Sequence, residues 1–96
     1  MSPNNKKKLN LIRIKLDKLD NKLLYLIKIR SDLVKEVLKV KETKSEIVDK
    51  KRINFILNII KKKSKRLKID QKITNRIWKN MIWSFIDYEK KNFKRK

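Results

Sequence analysis

The sequence predicts an all-α fold in which a single domain is built from three helices, one of them very long. None of the 96 residues is glycine, Pro3 is the one proline, and 40% of the residues are hydrophobic. Tight turns between strands need residues that tolerate positive φ, so the composition argues against a sandwich or barrel. The apolar residues recur at steps of three and four, which is the period of a helix face. A chain of this length suffices for one domain and not for two.

The longest predicted element is a helix over residues 9–41, a segment without any helix-breaking residue. At about 1.5 Å per residue it forms a rod of roughly 50 Å. A compact monomer of this size cannot cover so long an apolar stripe, so we expect a second chain to pack against it. The stripe comprises Leu9, Ile12, Leu16, Leu19, Leu23, Leu26, Leu33, Val37 and Val40. Residues 1–8, which precede it, are basic, and we expect a disordered tail there.

Two shorter helices follow a loop predicted at residues 42–48. Asp49 is placed to cap the second helix through its carboxylate, and Asp70 is placed to cap the third. The apolar residues of these helices are Ile53, Ile56, Leu57 and Ile60, then Ile73, Ile77, Trp78, Met81, Ile82, Phe85 and Ile86. We expect the basic end, residues 90–96, to fray. The predicted helical domain is residues 9–93, and residues 94–96 lie beyond it.

The residue inventory restricts the chemistry. The chain has no Cys, hence no disulfide, thiolate nucleophile or thiolate metal ligand, and no His, the usual general base and commonest metal ligand. We therefore expect no metal and no cofactor, and chemistry that depends on Lys, Arg and carboxylates or needs no proton transfer. No stretch reaches the roughly 18 apolar residues of a membrane span, and no uncharged apolar run follows the basic N-terminus. The expected location is the cytoplasm.

The net charge of +20 has two explanations. One is a polyanionic partner, because Lys and Arg neutralise phosphates. The other, which we favour, is codon drift, since Lys, Ile and Asn are abundant while Ala and Gly are absent, as in translations of A/T-rich genomes. A basic helical nucleic-acid-binding protein is thus an alternative function. The basic residues are spread over all helices and few aromatics are available for stacking, so we do not expect a nucleic acid partner.

Charged residues inside apolar stripes are candidate site residues. Arg30 occupies a position in the first helix where the stripe predicts an apolar residue, and Glu89 extends the apolar row of the third helix by a further step of four. Each alone is also compatible with a structural role, as a snorkelling arginine or as a solvated glutamate near a helix end. Two further basic residues bear on the choice.

Arg30 and Lys41 are eleven residues apart, close to three turns, so they share a face of the first helix about 16 Å apart. Their long side chains can converge on one small anion. Arg13 lies about 25 Å before Arg30 and on a different side of the rod. In an antiparallel dimer, the partner's Arg13 can approach Arg30 and Lys41. Such a pocket is rich in guanidinium groups, which bind carboxylates in bidentate fashion.

These segments resemble the all-α chorismate mutases. Residues 11–30 (LIRIKLDKLDNKLLYLIKIR) carry an Arg, two Leu-Asp pairs three residues apart, a Leu-Leu pair and a second Arg, like the opening of that family. Lys41 follows at the family's spacing. Residues 49–52 (DKKR) resemble its Asp-x-x-Arg start of helix 2, and residues 77–89 (IWKNMIWSFIDYE) resemble its helix 3. The resemblance covers about residues 9–93.

The resemblance implies an intertwined homodimer of three-helix chains with two shared active sites. It implies a small dianionic substrate, chorismate, converted to prephenate by a Claisen rearrangement without covalent or metal chemistry. Arg30 and the partner's Arg13 would hold the two carboxylates. Lys41 would stabilise the ether oxygen as the C–O bond breaks, and a protonated Glu89 would donate to the same oxygen. A pericyclic reaction of this kind needs no general base, in keeping with a chain that lacks His.

The resemblance implies four further pocket residues, and at two of these positions the chain departs from the family's usual residue. Asp49 would lie near the ring hydroxyl, and Arg52 would support the site wall. Ile53 stands where the family usually has Glu, and Phe85 stands where several members have a small polar residue; both are expected to line the pocket. The apolar side chain of Ile53 is also a point of resemblance to the isochorismate–pyruvate lyases of salicylate synthesis. Asp49 and Glu89, by contrast, favour a mutase. A catalytically inactive regulatory dimer is a further alternative.

Overall fold

A computed structural model describes residues 1–94 and contains three α-helices, with no strand in that part of the chain. Helix α1 spans Pro3–Val40, α2 spans Lys50–Arg66, and α3 spans Gln71–Asn92. A short 3-10 turn, Lys44–Glu46, lies between α1 and α2. The predicted all-α class with one very long helix is confirmed. No helix among the described residues combines the length and apolar character needed to cross a bilayer.

Helix α1 begins earlier than the sequence predicted. Residues 3–8 are helical, whereas a disordered tail was expected over residues 1–8. Ser2 explains the difference, because its Oγ accepts a hydrogen bond from the Asn5 amide at 3.2 Å and its carbonyl accepts one from the Lys6 amide at 2.9 Å. Pro3 follows at the first helical position, where its fixed φ favours a helix and its missing amide hydrogen costs nothing.

The chain divides into two units, Met1–Leu33 and the part from Val34 onward. The first unit is almost entirely α1, none of whose residues is buried. Leu16, Leu19, Leu23 and Leu26, which belong to the predicted stripe, are each 50–59% exposed. Within the single chain this stripe therefore forms a helix face with extensive apolar exposure.

In the second unit, α2 and α3 pack on each other. Both predicted caps are confirmed: Asp49 Oδ1 accepts from the Arg52 amide at 3.0 Å, and Asp70 Oδ1 accepts from the Lys72 amide at 2.9 Å. The turn between the helices contains Lys68 at φ 57°, a left-handed conformation that usually selects glycine. Because the chain has no glycine, a lysine bears the steric cost of this turn.

The core of the second unit is small. Ile47, Ile82 and Ile86 are 2%, 6% and 4% exposed, and the residues packed against them are Val48, Ile53, Ile56, Leu57, Trp78 and Phe93. Ile47 belongs to the predicted loop at residues 42–48, which is confirmed apart from its short 3-10 turn. Ile47 therefore anchors the loop to α3 through this core.

Two further features define the ends of the helix pair. Near the turn, the hydroxyls of Ser64 and Thr74 form a buried hydrogen bond at 2.7 Å, which joins α2 to α3. At the other end, α3 continues to Asn92, whose side-chain amide donates to the Tyr88 carbonyl at 2.9 Å. The fraying predicted from residue 90 is therefore wrong for the first three residues. Residues 95 and 96 of the predicted basic end lie outside the described residues.

Candidate functional site

The two residues predicted to be catalytic, Lys41 and Glu89, lie in direct contact. Lys41 Nζ donates a hydrogen bond to Glu89 Oε2 at 2.7 Å, across 48 residues of sequence. Their side chains are only 16% and 8% exposed. A charge removed from water is costly unless an opposite charge compensates it, and each of these groups compensates the other.

The position of Glu89 follows from the helix period. Ile82, Ile86 and Glu89 occur at steps of four and three on α3, so they share the face that packs toward the core. Glu89 is 6% exposed. The alternative of a solvated glutamate near a helix end is therefore wrong for this residue. Glu89 is therefore a buried, charged residue paired with a lysine, and it remains a candidate site residue.

The loop after α1 places Lys41. Its amide donates to the Val37 carbonyl at 3.3 Å, so Lys41 continues the hydrogen bonding of α1 beyond Val40. Six residues later, Ile47 packs in one buried cluster with Ile82 and Ile86, and it is the least exposed residue of that core. The loop is thus fixed at both ends, and its second anchor rests on the same α3 face that carries Glu89.

Polar contacts within the loop stabilise its turn. Glu46 Oε1 accepts hydrogen bonds from the Thr43 hydroxyl at 3.0 Å and from the Thr43 amide at 3.1 Å. The hydrogen bond from the Thr43 hydroxyl, helped by the one from its amide, lowers the pKa of Glu46 from the usual value of 4.5. A lowered folded-state pKa means that this contact stabilises the loop above pH 4.5 and is lost as the pH falls through the lower value.

An open cavity of about 610 Å³ lies beside Lys41. Its lining includes Lys41, Val48 and Asp49, so two residues assigned to the site from sequence face one depression. The lining also includes Lys50 and Lys51 at the start of α2. Glu46 also lines the cavity, so three lysines face two carboxylates there, and the first turn of α2 adds to the positive side of this balance.

The other predicted pocket residues of the second unit have varied surroundings. Asp49 is exposed and serves as the cap of α2, a structural role that occupies its Oδ1. The guanidinium of Arg52 is exposed and lies 5.3 Å from the ring centre of Phe55. Ile53 and Phe85 are half-buried, and Ile53 packs against the core. Their contact with a substrate stays a prediction.

The two arginines predicted to bind carboxylates belong to the first unit. Arg13 is exposed, and Arg30 is half-buried. Lys41 and Glu89 belong to the second unit. The structure therefore brings together Lys41, Glu89 and the residues around them, and the convergence of the arginines on that site stays a prediction.

Sequence reasoning missed two features of the site. The anchoring role of Ile47 was not predicted, although an isoleucine followed by Val48 in an otherwise polar loop was the available signal. A second lysine contact was also missed, in which Lys35 Nζ lies 5.9 Å from the ring centre of Tyr88, the neighbour of Glu89. Within the described residues, no group of three or more potential metal ligands is clustered.

Comparison with known proteins adds an independent finding. A family model described as chorismate mutase type II matches residues 12–90. The matched region begins within α1, ends within α3 and contains every site residue proposed from the sequence. No curated protein and no solved structure matches the chain.

Proposed function

We propose how this chain, which belongs to the chorismate mutase type II family and is a chorismate mutase, carries out its reaction. The rearrangement converts chorismate to prephenate, a step of aromatic amino-acid biosynthesis. Within one molecule, the ether C–O bond breaks while a new C–C bond forms, so no atom is gained or lost. The buried pair of Lys41 and Glu89 is the observation that carries the proposal, because it places an ammonium donor next to a carboxyl group that can donate once it is protonated.

Lys41 stabilises the negative charge that develops on the ether oxygen. Its ammonium group has three N–H donors, so it can donate to the substrate while retaining its bond to Glu89. The Lys41 side chain is mostly shielded from water. Electrostatic stabilisation of a transition state is stronger in such a water-excluded site than in solvent. Anchoring through Ile47 keeps the group in place before the substrate binds, so the orientation is prepared in advance.

Glu89 donates a second hydrogen bond to the same oxygen when it carries a proton. An ionised carboxylate can only accept, and it would repel the developing charge. In the structure, Glu89 accepts from Lys41. The proposal therefore requires the protonated form in the productive complex, and it makes the rate depend on pH.

Two arginines from different chains hold the carboxylates of chorismate in a homodimer. Arg30 and the partner's Arg13 supply planar guanidinium groups, which suit bidentate binding of carboxylates. The exposed apolar face of α1 supports the dimer, because leucines along Met1–Leu33 remain half or more exposed in a single chain. The active sites are then shared, since the distance between the arginines along α1 prevents one chain from supplying both.

The remaining residues shape the pocket. Asp49 faces the ring hydroxyl from the cavity beside Lys41, Arg52 supports the wall, and Ile53 and Phe85 provide apolar contact. Ile53, half-buried where the family usually has Glu, is the observation that favours a second candidate activity, isochorismate–pyruvate lysis. We further propose that the enzyme acts in the cytoplasm.

Product identification tests the proposal. Purified protein is incubated with chorismate and, separately, with isochorismate, and the products are identified by chromatography against standards. We expect prephenate from chorismate, with loss of activity in both Lys41→Ala and Glu89→Ala. Pyruvate and salicylate from isochorismate, without prephenate from chorismate, would instead establish the lyase. No turnover of either compound by folded protein would contradict both.

A further inference from the structure

A second depression, lined by several lysines, lies between the middle of α2 and the first turns of α3. It encloses about 400 Å³ and contains no carboxylate among its lining residues. Its polar lining consists of three ammonium groups, three carboxamides and one hydroxyl, from Lys61, Lys72 and Lys79, from Asn58, Gln71 and Asn75, and from Thr74. We refer to it as the hairpin groove. Lysine and carboxamide side chains are common contacts to the phosphates and sugars of nucleic acids.

The hairpin groove is separate from the candidate active site. It lies beside the turn that joins α2 to α3, whereas Lys41 precedes the start of α2 and Glu89 lies near the end of α3. It also lies away from the apolar side of α3, where Ile73 and Ile77 are 54% and 52% exposed. At 100° per residue, Ile73 and Asn75 point about 200° apart around the helix. A partner chain on the apolar side of α3 would leave the hairpin groove open.

The charge around the hairpin groove is strongly one-sided. Residues 61–79 contain nine Lys and Arg residues and one acidic residue, Asp70. All nine basic residues are exposed; three of them line the groove, and the other six belong to the same segment of the chain. The Asp70 carboxylate is engaged as the cap of α3. Cations that extend beyond one depression suit a ligand with many negative charges better than a compact dianion.

We propose that the hairpin groove binds the phosphodiester backbone of a nucleic acid, without preference for base sequence. Trp78 is the one aromatic residue in residues 61–79, and it packs against the core. No ring in this segment is therefore available to stack on bases, and binding relies on charge and on hydrogen bonds to phosphate. From the sequence, nucleic-acid binding was an alternative that we did not favour, because the basic residues are spread along all helices; folding brings Lys61, Lys72 and Lys79 to one groove.

The test compares two variants that remove the same charge. One is Lys61→Gln/Lys72→Gln/Lys79→Gln, and the control is Lys6→Gln/Lys7→Gln/Lys8→Gln in the exposed first turns of α1. Binding of a labelled mixed-sequence single strand of about 20 nucleotides is followed by fluorescence anisotropy across a salt titration. We expect the groove variant to lose affinity at least tenfold and its log–log salt slope to decrease by about 2, with a much smaller change in the control.

Several outcomes would overturn the proposal. Equal losses of affinity in the two variants would mean that binding depends on the net charge and not on the groove. That result would agree with codon drift as the origin of the charge. Absence of binding by the wild type at about 0.1 M salt, or groove-dependent binding to anionic vesicles in preference to the oligonucleotide, would also exclude it. We expect the groove variant to keep its circular dichroism spectrum and its mutase kinetics, so that failure here is distinguishable from failure of the proposed active site.

Discussion

Lys41 Nζ lies 2.7 Å from Glu89 Oε2, and this contact joins the residue that follows α1 to the last turns of α3. Both side chains are largely withdrawn from water. The pair therefore has structural and chemical consequences that separate experiments can measure. Removal of one partner leaves the other buried and uncompensated, whereas removal of both leaves a neutral site.

The first prediction concerns the stability of this pair. Lys41→Met should lower the free energy of unfolding by about 3 kcal/mol, because Glu89 then remains buried without its partner. Lys41→Met/Glu89→Leu should recover most of that loss while remaining inactive. Urea unfolding measures both. The control is Lys39→Met, an exposed lysine on α1 that should change stability by no more than about 0.5 kcal/mol. Additive losses in the double variant would mean that the two residues are not coupled.

The second prediction concerns Ile47, which anchors the loop bearing Lys41. Ile47→Ala should cost about 2–4 kcal/mol of stability, and Ile47→Val about 1 kcal/mol, because a core cavity grows with each deleted group. Under conditions where both variants are folded, Ile47→Ala should also lower kcat about tenfold by loosening Lys41, while Ile47→Val keeps it. Steady-state kinetics below each melting transition measure this. An unchanged kcat in folded Ile47→Ala would reduce Ile47 to a purely structural residue.

The third prediction concerns the left-handed residue of the α2–α3 turn. Lys68→Gly should stabilise the protein by about 1 kcal/mol, since glycine adopts positive φ without a steric penalty. Lys62→Gly removes the same charge from an exposed position inside α2 and should destabilise by about 1 kcal/mol. Thermal unfolding of the two variants should therefore shift in opposite directions. If the melting temperatures of both variants shifted in the same direction, the loss of a positive charge, and not the backbone conformation, would explain the change in stability.

The fold was more predictable from the sequence than the site was. Asp49 and Asp70 were identifiable as caps because capping depends on residues only a few positions apart. The extent of α1 beyond residue 9 followed from its repeat, while Ser2 and Pro3 were overlooked because the basic composition suggested disorder. The contact of Lys41 with Glu89 depends on how α3 packs against the loop, which no local pattern encodes. The Phe55 ring beside Arg52, by contrast, was within reach of sequence reasoning, because residues three apart are neighbours on a helix surface.

The fourth prediction concerns the shared active site. Sedimentation at micromolar concentration should give about twice the 11.8 kDa mass of the chain. Arg13→Ala and Arg30→Ala should each be nearly inactive, and an equal mixture should regain about a quarter of wild-type activity. Half of the dimers are then mixed, and each mixed dimer has one complete site. A well-folded monomer, or no recovery after demonstrated subunit exchange, would contradict the assignment of Arg13 to the partner's site.

The central claim is that Lys41 and Glu89 act together on the ether oxygen, and the pH dependence of kcat for wild type and Glu89→Gln tests it most directly. Activity of the wild type should be highest on the acid side and should decline as Glu89 loses its proton, because only the acid can donate. Glu89→Gln supplies an amide donor at every pH, so it should remain active and lose most of the decline. A wild-type profile that is flat from about pH 5 to about pH 8, together with an inactive Glu89→Gln, would contradict the account.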